Sequence, residues 1–217
     1  MLWTTLLLVR HGHTRDNTVD DGARLSGWYD APLSARGERE AQLLANWVRS
    51  QGVAAVYTST LIRARDTAAP MAAALGLHAA PEPGLREISC GRLEGLSLAR
   101  VQHEFPDLWQ RNLRQTDEEF RWPGGESYRD LRQRALACLA LIAARHRGQR
   151  VLLVTHAGVI SQVLGALHGT SAARWELWRP RNGSVTEVCW HDDGGVLVYF
   201  DRQPSLAPDQ VGSAQHA

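Results

Sequence analysis

Two continuous apolar runs, each ending just before a histidine, constrain this chain more than any other feature. Residues 3–9 lead into Arg10 and His11, and residues 151–154 lead through Thr155 into His156. A run that is apolar at every position indicates a strand covered on both faces, as in an α/β sheet. Because ligands of open α/β sheets bind beyond the carboxyl ends of strands, we expect both histidines at one functional edge.

The rest of the chain alternates between helical and strand patterns. Helices are predicted from Ser34 to Gly52, from Ser59 towards Gly76, from Ser127 to Gly148, and after Gly158 to about Leu167. Residues 53–57 are predicted as a short strand, and residues 185–190 and 196–200 as a hairpin. Pro70 is expected to kink the second helix or to end its first part. This alternation predicts an α/β fold, a three-layer α/β/α sandwich around a mostly parallel central sheet.

One domain accounts for most of the chain. No repeat or linker divides residues 1–203, and a length of 217 residues suits one domain. The stretch from Pro81 to Gly125 mixes glycines, prolines and aromatic residues, and within it residues 96–125 are predicted as a lid-like insertion with short helices. The polar residues 204–217 are predicted as a flexible tail.

Composition and charge exclude several classes of protein. The chain is 44% hydrophobic and 22% charged, too apolar for a disordered protein. Its 24 basic and 23 acidic residues give a net charge of +1, which argues against general nucleic-acid binding. The widely spaced cysteines Cys90, Cys138 and Cys189 suit reduced thiols, and no run is long enough to span a bilayer. We therefore expect a cytoplasmic protein with no membrane partner, whose eight tryptophans belong mostly to the core.

A series of motifs runs in order along roughly residues 3–200: Arg10-His11-Gly12-His13-Thr14, Gly27-Trp28-Tyr29-Asp30-Ala31-Pro32-Leu33-Ser34, Thr58-Ser59-Thr60-Leu61-Ile62-Arg63-Ala64, Leu85-Arg86-Glu87-Ile88, Gly91-Arg92-Leu93-Glu94-Gly95, Pro123-Gly124-Gly125-Glu126-Ser127 and Val154-Thr155-His156-Ala157-Gly158. Together these motifs resemble a known family, the histidine phosphatase superfamily of phosphoglycerate mutase-like proteins. The resemblance implies the phosphoglycerate mutase-like fold and chemistry on phosphate esters.

The resemblance assigns a role to each matching position. It implies that His11 is the nucleophile and that Glu87 is the proton donor. It places the phosphate clamp on Arg10, Arg63 and His156. The substrate-binding set that it implies consists of Asn17, Arg10, Arg63, His156 and Ala157.

Phosphoryl chemistry supports these roles from the residue types alone. The transferred group carries charge on three equatorial oxygens, which two arginines can hold through paired N–H donors. Positive neighbours lower the pKa of a histidine and keep its imidazole unprotonated and nucleophilic. Helix N-termini after Gly12 and Gly158 would add backbone N–H donors. The departing alkoxide needs a proton, so Glu87 must be protonated when the ester binds, and Glu94 is a candidate neighbour that favours this.

Several residues keep two interpretations. His13 stands where the family most often has Glu, and its contact with the ligand is open. The pair His11 and His13 could indicate a metal site, but no carboxylate or cysteine cluster accompanies it. The resemblance implies metal-independent chemistry with no cofactor. Ser127 is a helix cap or a pocket residue. Trp28, Trp109 and Trp122 are candidates for the substrate mouth.

The choice between phosphatase and mutase depends on one short segment. Only residues 96–122 separate Gly95 from the Pro123–Ser127 motif. Mutases of this family usually carry a longer insert and need extra cations around a bisphosphorylated intermediate. We therefore favour a metal-independent phosphomonoesterase for small phosphorylated metabolites, of the short branch that resembles broad-specificity phosphatase and alpha-ribazole phosphatase. A cofactor-dependent phosphoglycerate mutase is the alternative, followed by a non-catalytic phosphate-binding protein. A homodimer stays open.

Overall fold

A computed structural model shows an α/β fold and describes residues 2–17, 23–192 and 194–204. Its strands are β1 (Thr4–Arg10), β2 (Val53–Thr58), β3 (Ala79–Pro81), β4 (Arg150–Thr155), β5 (Val185–His191) and β6 (Gly194–Arg202). Its helices are α1 (Ala35–Val48), α2 (Ile62–Leu75), α3 (Leu98–Glu104), α4 (Pro106–Arg114), α5 (Tyr128–Arg145) and α6 (Ala157–Leu167). Short 3₁₀ turns span Arg15–Asn17, Pro83–Leu85 and Gly91–Leu93.

The six strands form one mixed sheet in the order β3-β2-β4-β1-β5-β6. β3, β2, β4 and β1 pair in parallel, whereas β5 lies antiparallel between β1 and β6. The two apolar runs become the central strands β4 and β1, and Arg10 pairs with Thr155 in their register. The predicted α/β class and mostly parallel sheet are confirmed, and His11 and His156 leave the sheet side by side.

Both faces of the sheet are covered, which explains why β1 and β4 are apolar at every position. Leu6 and Leu8 of β1 pack against α5 and α6 on one face, whereas Leu7 and Val9 pack against α1 and α2 on the other. In a central strand, alternate side chains are buried on opposite faces of the sheet. This burial is the main source of the strand's stability, at about 25 cal/mol per Å² of apolar surface.

A third apolar cluster joins the predicted insertion to residues on either side of it. Phe120 and Trp122 meet edge to face, with ring centroids 5.0 Å apart, and pack with Leu93, Val101 and the first residue of α5, Tyr128. The insertion contains α3 and α4 and shares this core with residues outside it. Its action as a lid stays a prediction.

The helix caps follow the sequence at two starts and depart from it at a third. The Ser34 and Ser127 side chains cap α1 and α5 as predicted. Ser59 does not cap α2, because that helix begins only at Ile62, and the Ser59 hydroxyl instead accepts from the backbone N–H of Leu61 in the preceding turn. Pro70 lies inside a continuous α2 and therefore does not end the first part of that helix, while the alternative that it kinks the helix stays a prediction.

The remaining fold-level expectations have mixed outcomes. The three cysteines are free. None of the helices in the described ranges is long and apolar enough to cross a membrane. Six of the eight tryptophans belong to the apolar clusters or pack against them, as expected: Trp47, Trp109, Trp122, Trp175, Trp178 and Trp190. Trp3 and Trp28 are about two-fifths exposed. The single domain stays a prediction, and residues 205–217 of the predicted tail lie outside the described residues.

Candidate active site

His11 stands at the carboxyl end of β1 and is fixed through its backbone. Its N–H donates to the carbonyl of Thr155 at 3.0 Å, and its own carbonyl accepts from the Asn182 side chain at 3.1 Å. The N–H of the next residue, Gly12, donates to the Thr67 hydroxyl at 3.0 Å. These contacts hold the imidazole, which is only 5% exposed, at the edge of the sheet.

The hydrogen-bond partners of His11 determine its tautomer. Nδ1 lies 2.7 Å from the carbonyl oxygen of Gly12, which can only accept, so Nδ1 carries the proton. Nε2 accepts from Nε–H of Arg63 at 3.3 Å and therefore has its lone pair available. Burial, followed by the charges of Arg63 and Arg10, holds the pKa of His11 well below its usual value. The imidazole is neutral, and Nε2 carries its free lone pair.

Arg63 reaches His11 from the first turn of α2. Besides its bond to His11, it donates to the carbonyls of Gly27 at 2.7 Å and Tyr29 at 2.9 Å, which link it to the loop before α1. It is 2% exposed, and burial lowers its pKa while the carboxylates of Glu87 and Asp30 partly offset this. A guanidinium so deeply buried is a fixed positive charge beside the imidazole.

Arg10 supplies a second cation next to His11. One terminal nitrogen donates to the carbonyl of Pro180 at 2.6 Å, and its Nε is buried with no hydrogen-bond partner. Burial, and next the nearby charge of Arg179, lower the pKa of Arg10 to about 10, so it stays charged at neutral pH. The unpaired Nε–H is a donor available to an anion.

His156 lies behind His11 in the fold. The two ring centroids are 5.1 Å apart, and Nε2 of His156 lies 2.8 Å from the hydroxyl of Ser59. Its Nδ1 is buried without a partner, and burial together with Arg63 lowers the pKa of the imidazole. Ser59, read from the sequence as a helix cap, therefore orients this histidine instead.

Glu87 is held at the N-terminus of α6. Its carboxylate accepts from the backbone N–H of Gly158 at 3.0 Å and from that of Ile88 at 2.9 Å. Arg134 of α5 supports the loop by donating to the carbonyls of Arg86 at 2.9 Å and Glu87 at 3.2 Å. The N–H expected from Gly158 as a phosphate donor thus serves Glu87. After Gly12, the residues that the structure describes up to residue 17 make a 3₁₀ turn, Arg15–Asn17, and not the start of an α-helix.

These groups surround one cavity of about 230 Å³. Six of the predicted site residues line it: Arg10, His11, Asn17, Arg63, Glu87 and Ala157. His156 does not line the cavity, although its ring contacts that of His11. The cavity is also lined by Asn112, Trp122, Tyr128, Gln162 and Trp175. Of these, sequence reasoning found only Trp122.

Comparison with known proteins decides the family. The model of the Histidine phosphatase superfamily (branch 1) matches residues 6–202. The chain belongs to this superfamily. The resemblance of the motifs is thereby confirmed, and so is the expectation of a phosphatase enzyme, which structural neighbours also support.

This histidine phosphatase has relatives with different names. It is 35% identical over 187 residues to a probable phosphoglycerate mutase GpmB of Yersinia enterocolitica, covering 86% of this chain and 85% of that one. It superposes on the structure entitled Bacillus stearothermophilus YhfR with a TM-score of 0.82 at 31% identity, covering 90% and 95% of the two chains. The alpha-ribazole phosphatase from Shigella flexneri gives a TM-score of 0.80 at 26% identity, covering 93% and 98%.

The structure also shows the contacts of the residues for which the sequence left two interpretations. Glu94 holds a loop, since its carboxylate accepts from the backbone N–H groups of Cys90 at 2.6 Å and Tyr29 at 2.9 Å. Nδ1 of His13 lies 2.9 Å from the hydroxyl of Ser34, and His13 is not among the residues lining the cavity. Ser127 forms a capping box with Asp130 and does not line the cavity either.

The tryptophans proposed for the mouth separate in the same way. Trp122 lines the cavity, whereas Trp109 packs within the third apolar cluster. Trp28 donates its indole N–H to the carbonyl of Glu87 at 2.7 Å and stacks under Arg86, without lining the cavity. Within the described ranges, no group of three or more His, Cys, Asp or Glu side chains is arranged to hold a metal ion.

Proposed function

We propose that this histidine phosphatase hydrolyses phosphomonoesters of small metabolites through a phosphohistidine on His11. The observation that carries the proposal is the state of Nε2: it is unprotonated, accepts from Arg63, and belongs to a side chain that lines the cavity beside Arg10. A buried neutral imidazole next to two guanidiniums suits attack on a phosphate dianion, because the cations bind the anion while keeping the nucleophile free of its proton.

In the first step, Nε2 of His11 attacks phosphorus and the ester P–O bond breaks. Nε–H of Arg63 turns from Nε2 to an oxygen of the phosphoryl group, and the unpaired Nε–H of Arg10 donates to another. His156 does not line the cavity, but its ring lies against that of His11, and we propose its unpartnered Nδ1 as a further donor to the phosphoryl group. Asn17 and Ala157 complete the binding set at the cavity wall. The donors are in place before charge spreads over the equatorial oxygens.

Glu87 completes the first step as a general acid. It lines the same cavity as His11, and the alkoxide that departs takes its proton. The backbone N–H of Gly158 then donates to the resulting carboxylate, as in the structure. This N–H, at the N-terminal end of α6, stabilises the carboxylate that remains.

In the second step, Glu87 takes a proton from a water molecule and the hydroxide formed attacks phosphorus. The P–N bond to His11 breaks, orthophosphate leaves, and Nε2 regains its lone pair. Glu87 is again protonated for the next ester. The scheme needs no metal or other cofactor, because the arginines supply the charge and Glu87 supplies the proton.

Hydrolysis of p-nitrophenyl phosphate in excess chelator tests the proposal. We expect undiminished turnover of the wild type and an inactive His11→Ala variant, with the rate lower by about 10³-fold or more. The wild type should also become labelled when it is briefly incubated with an ester that is radioactive in its phosphoryl group and quenched without acid. Acid should then remove this label. An active His11→Ala variant, or an absence of such label in rapid quenching, contradicts the assignment.

A phosphoglycerate mutase is the second candidate, favoured by two observations. Relatives named probable phosphoglycerate mutase align over most of the chain, and the cations Arg24 and Arg179 line the cavity in addition to Arg10 and Arg63. Yet Arg24 lies 3.8 Å from Asp16, and Arg179 lies 3.7 Å from Glu176, so each has an acidic partner. Efficient interconversion of 2- and 3-phosphoglycerate in the presence of the bisphosphate would establish the mutase instead.

A third candidate function, and the partner and location of the protein, are also proposed. A phosphate-binding protein without turnover is the least favoured reading, and tight phosphate binding without hydrolysis of a broad ester panel would establish it. We propose a small phosphate ester as the partner and the cytoplasm as the location. Neither nucleic acid nor membrane enters the scheme, and a homodimer stays open.

A further inference from the structure

The cavity has a second wall that the phosphoryl chemistry does not use. We call the side chains of Asn112, Trp122, Tyr128 and Trp175 the aromatic wall; all four line the cavity. The rings of Tyr128 and Trp175 are stacked, with centroids 6.3 Å apart and planes inclined by 15°. Phe120 lies behind, stacked on Tyr128 at 6.0 Å. This wall therefore has a rigid, mainly apolar face.

One buried donor of the aromatic wall has no protein partner. The indole Nε1 of Trp175 is buried and makes no hydrogen bond. Asn112 accepts from the Tyr128 hydroxyl through Oδ1. A buried N–H without an acceptor is costly, and that of Trp175 belongs to a residue that lines the cavity.

Gln162 shows the contrast within the same cavity. Its Oε1 accepts from Arg132 at 2.9 Å and its Nε2 donates to the carbonyl of Ala172 at 2.7 Å. The amide of Gln162 is thus engaged by the protein, and Trp175 is the buried donor left for the ligand. Since the Ser161 hydroxyl donates to the Trp175 carbonyl, the backbone that carries the indole is fixed as well.

We infer that the aromatic wall selects the alcohol part of the ester: an uncharged, flat group with an acceptor oxygen that receives the indole N–H of Trp175. The inference rests on the proposed function, because the alcohol is defined by the phosphoryl group bound at His11. The cavity of about 230 Å³ lies below the roughly 300–1,000 Å³ of larger ligand sites, which suits one ring or a group of similar size.

Charge in the cavity supports an uncharged alcohol. None of the four members of the aromatic wall is ionised at neutral pH, and burial raises the pKa of the Tyr128 hydroxyl further. The two outer cations, Arg24 and Arg179, each lie near a carboxylate and are about half exposed. A second anion on the alcohol would lose its hydration at the aromatic wall without gaining an unpaired cation.

A matched set of esters tests the inference. Benzyl phosphates with a meta or para acetyl, isopropyl or carboxylate substituent have similar shapes and similar leaving alcohols, but they differ in acceptor and charge. The meta-substituted and the para-substituted esters form two series. In one of them we expect the wild type to have a kcat/KM about tenfold higher for the acetyl ester than for the isopropyl ester, because the acetyl oxygen gains one hydrogen bond from Trp175. The carboxylate ester should be the poorest substrate of that series.

Substitution of Trp175 isolates the hydrogen bond. Trp175→Phe keeps a ring in the stack and removes the N–H, so the acetyl-to-isopropyl ratio should fall to about 1, mainly through KM. Trp178 provides the matched control, because its Nε1 is also buried without a partner but packs against His168 and Phe200 away from the cavity. Trp178→Phe should keep the ratio of the wild type.

The outcomes separate this inference from the proposed function. If His11→Ala is inactive and the benzyl esters are hydrolysed, but the ratio is near 1 in the wild type or is unchanged in Trp175→Phe, the role of Trp175 is wrong and the phosphatase assignment stands. Preference for the carboxylate ester would likewise overturn the inference. Failure of every ester together with absence of phosphohistidine would instead refute the proposed function.

Discussion

The Nε–H of Arg63 donates to Nε2 of His11 across 3.3 Å, although 52 positions separate the two residues in the chain. This bond directs a permanent cation at the atom proposed as nucleophile. It also keeps that nitrogen unprotonated, because the same atom cannot carry a proton and accept from a guanidinium. When the phosphoryl group binds, this donor has to move from the imidazole to a phosphate oxygen. Arg63 therefore holds the imidazole in the free enzyme and the phosphoryl group in the complex.

Replacing Arg63 should therefore remove both effects. We expect Arg63→Ala to lower kcat/KM for p-nitrophenyl phosphate by about 10³-fold, and Arg63→Lys to restore little, because an ammonium lacks the planar pair of donors. Arg65 lies exposed on the same helix and serves as the control. Arg65→Lys should match the wild type, and equal activities of the Arg63 and Arg65 variants would contradict the proposed role.

The role of Glu87 predicts a dependence on the leaving group. Glu87→Gln keeps the shape of the side chain but cannot supply a proton, so single-turnover rates should fall by about 10²-fold or more for alkyl phosphates and much less for p-nitrophenyl phosphate. Transient kinetics across a series of leaving alcohols measures this slope. Glu104→Gln, on the exposed end of α3, is the control. An equal loss for good and poor leaving groups would refute the general-acid role.

The buried histidines predict loss of stability in acid. Burial lowers the pKa of His11 and of His156 in the folded protein, so the unfolded chain binds protons near pH 6.5 that the folded chain does not. The free energy of unfolding is therefore greatest above pH 6.5 and falls as pH drops below it, by about 1.4 kcal/mol per pH unit for each histidine.

Urea unfolding between pH 7.5 and 5 measures this dependence. Relative to the wild type, His11→Gln and His156→Gln should each have a shallower slope of unfolding free energy against pH, and the double variant the shallowest. The same slope in the wild type and the double variant would show that neither histidine is responsible. The absolute stability of each variant does not enter the comparison, since only the slope is compared.

Ser127 predicts a change in stability without a comparable change in chemistry. Its hydroxyl accepts from the N–H of Asp130 at 3.1 Å, and its own N–H donates back to the Asp130 carboxylate at 3.1 Å. Ser127→Ala should lower the free energy of unfolding by about 1 kcal/mol while kcat/KM stays within about twofold. A large loss of activity at unchanged stability would show that Ser127 contacts the substrate.

Arg134 predicts a positioning effect on Glu87. It donates to the carbonyls of Arg86 and Glu87 and pairs with Glu126 at 2.8 Å, so it holds the loop that carries the proposed acid. A lysine at position 134 cannot make all these bonds. We therefore expect Arg134→Lys to lower the rate most for esters with poor leaving groups, with a weaker dependence on the leaving group than in Glu87→Gln. A uniform loss across leaving groups, or none, would indicate a role in stability alone.

The sequence by itself determined the sheet and the edge where the site lies. A strand that is apolar at every position has to be covered on both faces, so β1 and β4 are central, and parallel neighbours end at the same edge. That predicted His11 and His156 at one edge of the sheet, and the strand order then made them neighbours. The motifs then led to Arg63 and Glu87, whose side chains line the same cavity.

Only the tertiary structure decided which groups orient these side chains and what faces them. Ser59 meets His156 across 97 positions, and Glu87 meets the N–H of Gly158 across 71. The aromatic wall joins Asn112 of α4 and Tyr128 of α5 with Trp175, which follows α6. No periodicity encodes such contacts, because they depend on how loops and the insertion pack against the sheet. Periodic burial is local information, whereas the partner of a polar atom is set by the folded chain.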